Sequence, residues 1–169
     1  MPVAAVFVAL AIAEVVLRVG GFGESTVYLH AGILRHHPAL GWEKRPSTTA
    51  VYMFEGATIV ESSNRDGMRG EERPGEKPAG ELRVLAVGDS FCEGYLVNDE
   101  EVFSAVAERG WRGSGKLAVL NAGVAGYSTD QELLYFRESG VLHMPDVTVI
   151  FFFDNDVWFN TQVDEYRSK

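Results

Sequence analysis

A single cysteine, Cys92, leaves no partner for an intrachain disulfide, so cysteine usage does not identify a compartment. Cys and His also fail to fall at zinc-ligand spacing. The four histidines are His30, His36, His37 and His143, and the adjacent His36-His37 precede a proline in a stretch where exposed imidazoles are the ordinary outcome. No metal and no cofactor is expected. Basic residues are scarce too: 15 Lys and Arg stand against 24 Asp and Glu, a formal net charge of −9. No stretch clusters the cations that neutralising phosphates requires, which excludes nucleic acid as a partner. The chain has no internal repeat.

What is present is an ordinary globular composition, 46% hydrophobic and 23% charged over 169 residues, with room for one sizeable core. Its apolar residues are unevenly placed. Pro2 to Ala13 carry no polar side chain, and Val15 to Leu17 extend the run after Glu14. This predicts a membrane-anchor-like apolar helix over residues 1–19, with Glu14 and Arg18 paired four apart. The run is shorter than the roughly 20 apolar residues of a spanning helix and has no basic segment before it. A buried or fraying N-terminal helix is the alternative. Arg18, Arg35, Lys44 and Arg45 follow the run, and a literal positive-inside reading would keep the rest of the chain cytoplasmic.

Residues 20–80 are rich in Gly, Pro, Ser and charge and read as an extended lead-in or linker, with a turn at Asp66-Gly67. After Gly80 the pattern becomes regular, and residues 81–169 form the third unit. Leu82 to Val87, Leu117 to Leu120 and Val147 to Phe153 are apolar runs of strand length. Between them, Val102, Phe103, Val106 and Ala107 recur at helical spacing, and a second helix is predicted from Thr129 through Glu138. Strands alternating with helices on short links imply an α/β fold with a parallel sheet, and all-apolar strands imply cover on both faces. In such folds chemistry gathers outside the carboxyl ends of the strands. The residues to inspect there are Ser90, Gly126 and Asn155.

Each has a plain reading beside a functional one. In Gly88-Asp89-Ser90-Phe91 the serine sits where a strand ends and a helix begins, so free N–H groups and the helix dipole favour a developing negative charge; Asp or Ser could equally be a simple cap. The glycines of Asn121-Ala122-Gly123-Val124-Ala125-Gly126 allow close backbone approach, or merely a tight loop capped by Ser128 or Thr129. Asp154-Asn155-Asp156 offers an amide donor, or an Asx-dense turn. All three fall in order at the carboxyl ends of successive strands, which unrelated caps need not do.

Together these three stretches resemble the three blocks of the SGNH (GDSL-type) serine hydrolase superfamily. The third departs from the family's pattern in carrying Phe153 where a glycine is usual. The lead-in is similar to that of a membrane-linked branch, with an apolar segment ending in Glu14 and Arg18 and then an Asn-x-Asp-Gly-x-Arg stretch, Asn64 to Arg69. The resemblance implies a three-layer α/β/α flavodoxin-like fold, an incomplete SGNH domain carrying an apolar helix and an extended lead-in. It implies Ser90 as nucleophile, with the Ser90 N–H, the Gly126 N–H and the Asn155 side chain as the oxyanion hole. The implied activity is that of a serine esterase or acylhydrolase acting on a small-molecule, glycan or lipid acyl ester through an acyl-serine. It also implies a membrane contact through the N-terminal segment and an extracytoplasmic domain.

The family's late Asp-x-x-His block is missing. None of the four histidines has an aspartate three positions before it, and Asp164 is followed three residues later by Arg167. The expectation is a fragment of a longer product, itself inactive. His143 precedes the third strand, at the opposite edge from Ser90, and Cys92 reads as a packing residue. Two further readings stay open: a non-catalytic membrane-associated binding or assembly module with the same fold, and a glycan O-acyltransferase.

Overall fold

The computed structural model describes residues 2–19, 32–54 and 56–161. His30 and the Asp164–Arg167 tail lie outside them. Pro2–Val19 form helix α1, and Arg18 Nε donates to Glu14 Oε1 at 2.7 Å, the pairing expected from their spacing. The membrane reading of this segment is corrected. Among the described residues no helix is long and apolar enough to cross a membrane. Eighteen residues rise about 27 Å, and the charge-free part before Glu14 about 18 Å, against a hydrocarbon core of roughly 30 Å. The extracytoplasmic placement that the resemblance implies for a domain on that anchor gains no support.

The lead-in holds two antiparallel hairpins that sequence periodicity does not announce. Strands β1 (Leu34–His37) and β2 (Gly41–Lys44) pair from Leu34↔Lys44 to His37↔Gly41. His37 Nδ1 accepts the Leu40 N–H at 3.1 Å, and the His36 ring lies 3.3 Å from Gly41 O, so both histidines serve the turn. Strands β3 (Thr48–Phe54) and β4 (Ala57–Ser63) pair along their whole length. Next, Asn64 Oδ1 accepts the Asp66 and Met68 N–H groups at 3.0 Å each, folding the Asp66-Gly67 turn. Gly67 has φ +75°, and a Cβ there would stand 3.0 Å from Lys44 O, so both the backbone conformation and the close approach favour glycine. Arg69 then bridges to Ser63 on one side and Asn121 on the other, joining this hairpin to the main sheet.

That sheet is parallel and three-stranded. Strand β5 (Glu81–Gly88) is central, with β6 (Lys116–Asn121) on one side and β7 (Val147–Phe151) on the other. Helix α2 (Ser90–Glu93) and helix α3 (Phe103–Gly110) lie between β5 and β6. Helix α4 (Thr129–Glu138) and a 3₁₀ turn (Gly140–His143) lie between β6 and β7, and α5 (Asp154–Phe159) follows. Strand alternation sorts the core. Leu85, Val87 and Leu120 face α4 through Tyr135 and Phe136. Ala86 and Val119 face the other way, toward Phe103 of α3. The chain is therefore mixed α/β, as its alternating pattern predicts.

β7 departs from the expected cover on both faces. Val147, Val149 and Ile150 are all exposed, because β5 is the sole strand pairing with β7 among the described residues. The apolar run also stops pairing at Phe151, two residues earlier than predicted, and Phe152 and Phe153 lead into α5.

Candidate active site

Three chain segments meet at the carboxyl end of β5. The first is the corner Gly88-Asp89-Ser90. A Cβ on Gly88 would stand 2.6 Å from Cys92 Cβ and 2.8 Å from Phe151 Cβ, so only glycine lets β5 pass between α2 and β7. Asp89, fully buried, is the N-cap of α2: its Oδ1 accepts the Phe91 N–H at 2.9 Å. Capping therefore falls to Asp89, which leaves Ser90 free of it. Ser90 is partly exposed, and among the described residues neither its Oγ nor its N–H has a hydrogen-bond partner.

Asn121 welds the second segment to the first. Fully buried at the end of β6, it donates from Nδ2 to Cys92 O at 2.9 Å and accepts the Gly123 N–H on Oδ1 at 3.0 Å. The Val124 N–H donates to Gly88 O at 3.0 Å. Gly123 lies so close to α2 that a Cβ would be 2.3 Å from Glu93 N. Gly126 has φ +79°, and its N–H has no acceptor among the described residues. Ser128 occupies the N-cap position of α4, and its N–H is taken by Gln131 Oε1 at 3.0 Å.

The third segment enters through Asn155, in the first turn of α5. Its Nδ2 donates to Asp89 Oδ2 at 3.2 Å, while its buried Oδ1 has no partner. Reversing the amide would set its oxygen against the Asp89 carboxylate, so the charge fixes the orientation. Phe153 does not obstruct this. Its ring packs on Phe91 with centroids 4.5 Å apart. Asp156 Oδ2 accepts the Phe153 N–H at 2.8 Å, which tightens the start of α5.

The surroundings are acidic. Glu132 of α4 is buried, neither carboxylate oxygen has a hydrogen-bond partner, and burial, then Asp156 and Asp89, push its pKa up to about 7. Burial also raises Asp156, against the pull of the Phe153 N–H. Burial, followed by the Glu132 charge, drives the Cys92 thiol far above its ordinary value, so Cys92 is no rival nucleophile at neutral pH.

The histidines stand elsewhere. His36 and His37 belong to the β1–β2 hairpin, and His143 sits ahead of β7 at the amino edge of the sheet, its carbonyl accepting Arg83 Nη1 at 2.8 Å. Among the described residues no cluster of His, Cys, Asp and Glu could hold a metal ion.

A second set of buried residues escaped the sequence reading. Lys44 Nζ lies 2.6 Å from Glu61 Oε1 and 2.8 Å from Glu93 Oε1, with all three side chains essentially inaccessible. Tyr52 OH donates to Glu61 Oε2 at 3.1 Å, and Glu93 Oε2 accepts the Ala125 N–H at 2.6 Å. Burial works to raise both carboxyls. For Glu61 the Lys44 charge and hydrogen bonds outweigh it and the pKa falls, whereas Glu93, facing the Glu61 charge, is raised. Arg69 encloses the end of α2. Its guanidinium donates to Glu93 O at 2.9 Å, Gly94 O at 2.6 Å and Val97 O, and its Nε to Asp99 Oδ1 at 3.2 Å. The Asn64-to-Arg69 stretch thus builds the corner from behind. In the sequence this stretch showed as a turn and as the Asn-x-Asp-Gly-x-Arg pattern, without its contact to α2.

No family model matches this sequence, and no curated protein matches it either.

Proposed function

We propose that Ser90 is the nucleophile of an SGNH-type serine esterase or acylhydrolase. The observation that carries this reading is the convergence of three separate segments on one strand end, with a partly exposed serine hydroxyl and two backbone N–H groups, of Ser90 and Gly126, that are unengaged among the described residues. The strand order β6-β5-β7, with helices on opposite faces, supports a flavodoxin-like three-layer arrangement. In the proposed reaction Ser90 Oγ attacks the carbonyl carbon of an ester-linked acyl group, and the negative charge moves to the carbonyl oxygen. The Ser90 and Gly126 N–H groups, with the second N–H of Asn155 Nδ2, are the donors to that oxyanion. Collapse expels the alcohol and leaves an acyl-serine, which water then hydrolyses. Each donor is worth about 100- to 1000-fold in rate.

Attack requires the Oγ proton to leave. None of His36, His37 and His143 stands at Ser90, so added imidazole is the appropriate surrogate base. With it, a fluorophosphonate probe is expected to form a one-to-one adduct on Ser90, located by peptide mass spectrometry and absent in Ser90→Ala. An adduct unchanged in Ser90→Ala, or none on Ser90, overturns the assignment. In the latter case the placement of the histidines favours a non-catalytic binding module on the same fold. Transfer of the acyl group to an added sugar in place of water would mark an acyltransferase.

A further inference from the structure

The Gly126 N–H is useful to an oxyanion only if its direction is set, and a loop glycine at positive φ does not set it alone. The lead-in does. Trp42 Nε1 donates to Ala125 O at 3.1 Å, across 83 positions of sequence. That carbonyl belongs to the same peptide unit as the Gly126 N–H. The peptide is planar and trans, so its C=O and N–H point in opposite directions, and a donor on the oxygen fixes where the N–H looks. The preceding peptide is held as well, since the Ala125 N–H is bound by Glu93 Oε2, itself paired with Lys44. Trp42 and Lys44 stand two apart on β2 and so share one face of that strand. Both sides of Ala125 are therefore gripped from a single strand of the lead-in, directly by Trp42 and through Glu93 by Lys44. Tyr127 steadies Trp42 twice: its OH donates to the Trp42 main-chain carbonyl at 2.7 Å, and its ring packs on the indole with centroids 6.0 Å apart.

We propose that Trp42 is the positioning residue of the Gly126 loop: by holding the Ala125 carbonyl it directs the Gly126 N–H into the oxyanion site. The lead-in is then a part of the active site, built in before the sheet that carries Ser90. What the directed N–H does rests on the serine-esterase reading; that Trp42 directs it does not.

Trp42→Phe keeps an aromatic ring against Tyr127 and removes the indole N–H. In the imidazole-supported fluorophosphonate assay it is expected to label Ser90 at least about 10-fold more slowly than the parent, a fraction of the effect of losing an oxyanion donor outright. Hydrogen exchange at the Ala125 amide, the hydrogen-bonded one of the pair, should quicken about 10-fold, while the β5 and β6 amides keep their protection. Equal labelling rates in the two proteins overturn the proposal and leave the nucleophile assignment standing. If the parent does not label at all, the esterase reading fails and exchange alone decides: faster exchange at Ala125 upholds Trp42's role, and unchanged exchange refutes it. Should Trp42→Phe not fold, the parent's Trp42 indole N–H resonance is the measure. Protection from exchange supports the bond to Ala125 O, and exchange at the rate of a free indole overturns it.

Discussion

Asn155 Nδ2 and Asp89 Oδ2 lie 3.2 Å apart, joining the first turn of α5 to the cap of α2 across 66 positions of sequence. Asp89 thus has two tasks, one oxygen for the Phe91 N–H and one for Asn155. The aspartate beside the serine acts as structure. It locates Asn155 through one N–H of Nδ2.

Removing that carboxylate should be felt in stability. Asp89→Ala loses a helix cap and strands a buried amide, and is expected to cost about 2 kcal/mol, read as a lower urea midpoint. Asp89→Asn, which can still accept from Phe91, should cost less. Equal midpoints for Asp89→Ala and the parent would mean that neither bond forms.

The two glycines of the second segment should answer differently to alanine. At Gly123 the new methyl would meet the backbone of Cys92 and Glu93, at 2.7 and 2.3 Å, and main chain cannot rotate aside. Gly123→Ala is expected to lose about 3 kcal/mol or more, or to fail to fold. At Gly126 the nearest atom is Trp42 Cζ2 at 3.3 Å, and the cost is mainly that of φ +79°. Gly126→Ala should fold with a loss of about 1 kcal/mol. Thermal melts of the pair would reveal the order.

Glu132 makes stability depend on pH. Burial pushes its folded pKa up to about 7, above the ordinary carboxyl value of about 4.5, so between these values the folded state holds more protons than the unfolded state. Its contribution to stability is therefore complete below pH 4.5 and declines as pH rises toward 7. Glu132→Gln removes this decline. At pH 8 the variant should be more stable than the parent by on the order of 1 kcal/mol, and near pH 4 the two should converge. A parent and variant with parallel stability profiles from pH 4 to 8 would contradict the buried, unpaired carboxylate.

Cys92 gives a simple test of packing. Fully buried, with its thiol raised by burial, it should resist a disulfide reagent at pH 8 in the native protein and react at once in denaturant. Its native reaction rate should then follow the population of opened molecules. Fast labelling of the native protein would show the α2 corner to be open.

Several elements could be read from sequence because their signals are local. The runs at β5, β6 and β7, the helical spacing of α3 and α4 and the Glu14–Arg18 pair are each encoded within a few residues, at the period of the element that forms. The same locality misled at α1, where apolar composition suggested a membrane anchor but, among the described residues, no helix is long and apolar enough to cross a membrane. Glycines announced the turns at Gly67, Gly88 and Gly126, but not what each one passes. Only the Cβ distances to Lys44, Cys92 and Trp42 disclose that.

By itself, then, the sequence determined an α/β chain with a serine at one strand end and two further polar segments at the next two. The tertiary structure decided how they work together. It paired residues 34–63 into hairpins and gave Asp89 rather than Ser90 the cap. It also brought Lys44 to Glu61 and Glu93, and Trp42 to Ala125. The reason is physical. Periodicity follows from backbone geometry within one element, whereas a buried charge or indole N–H takes its partner from whatever the fold brings close, since leaving it bare costs several kcal/mol for an ion and about 1–3 kcal/mol for a neutral donor.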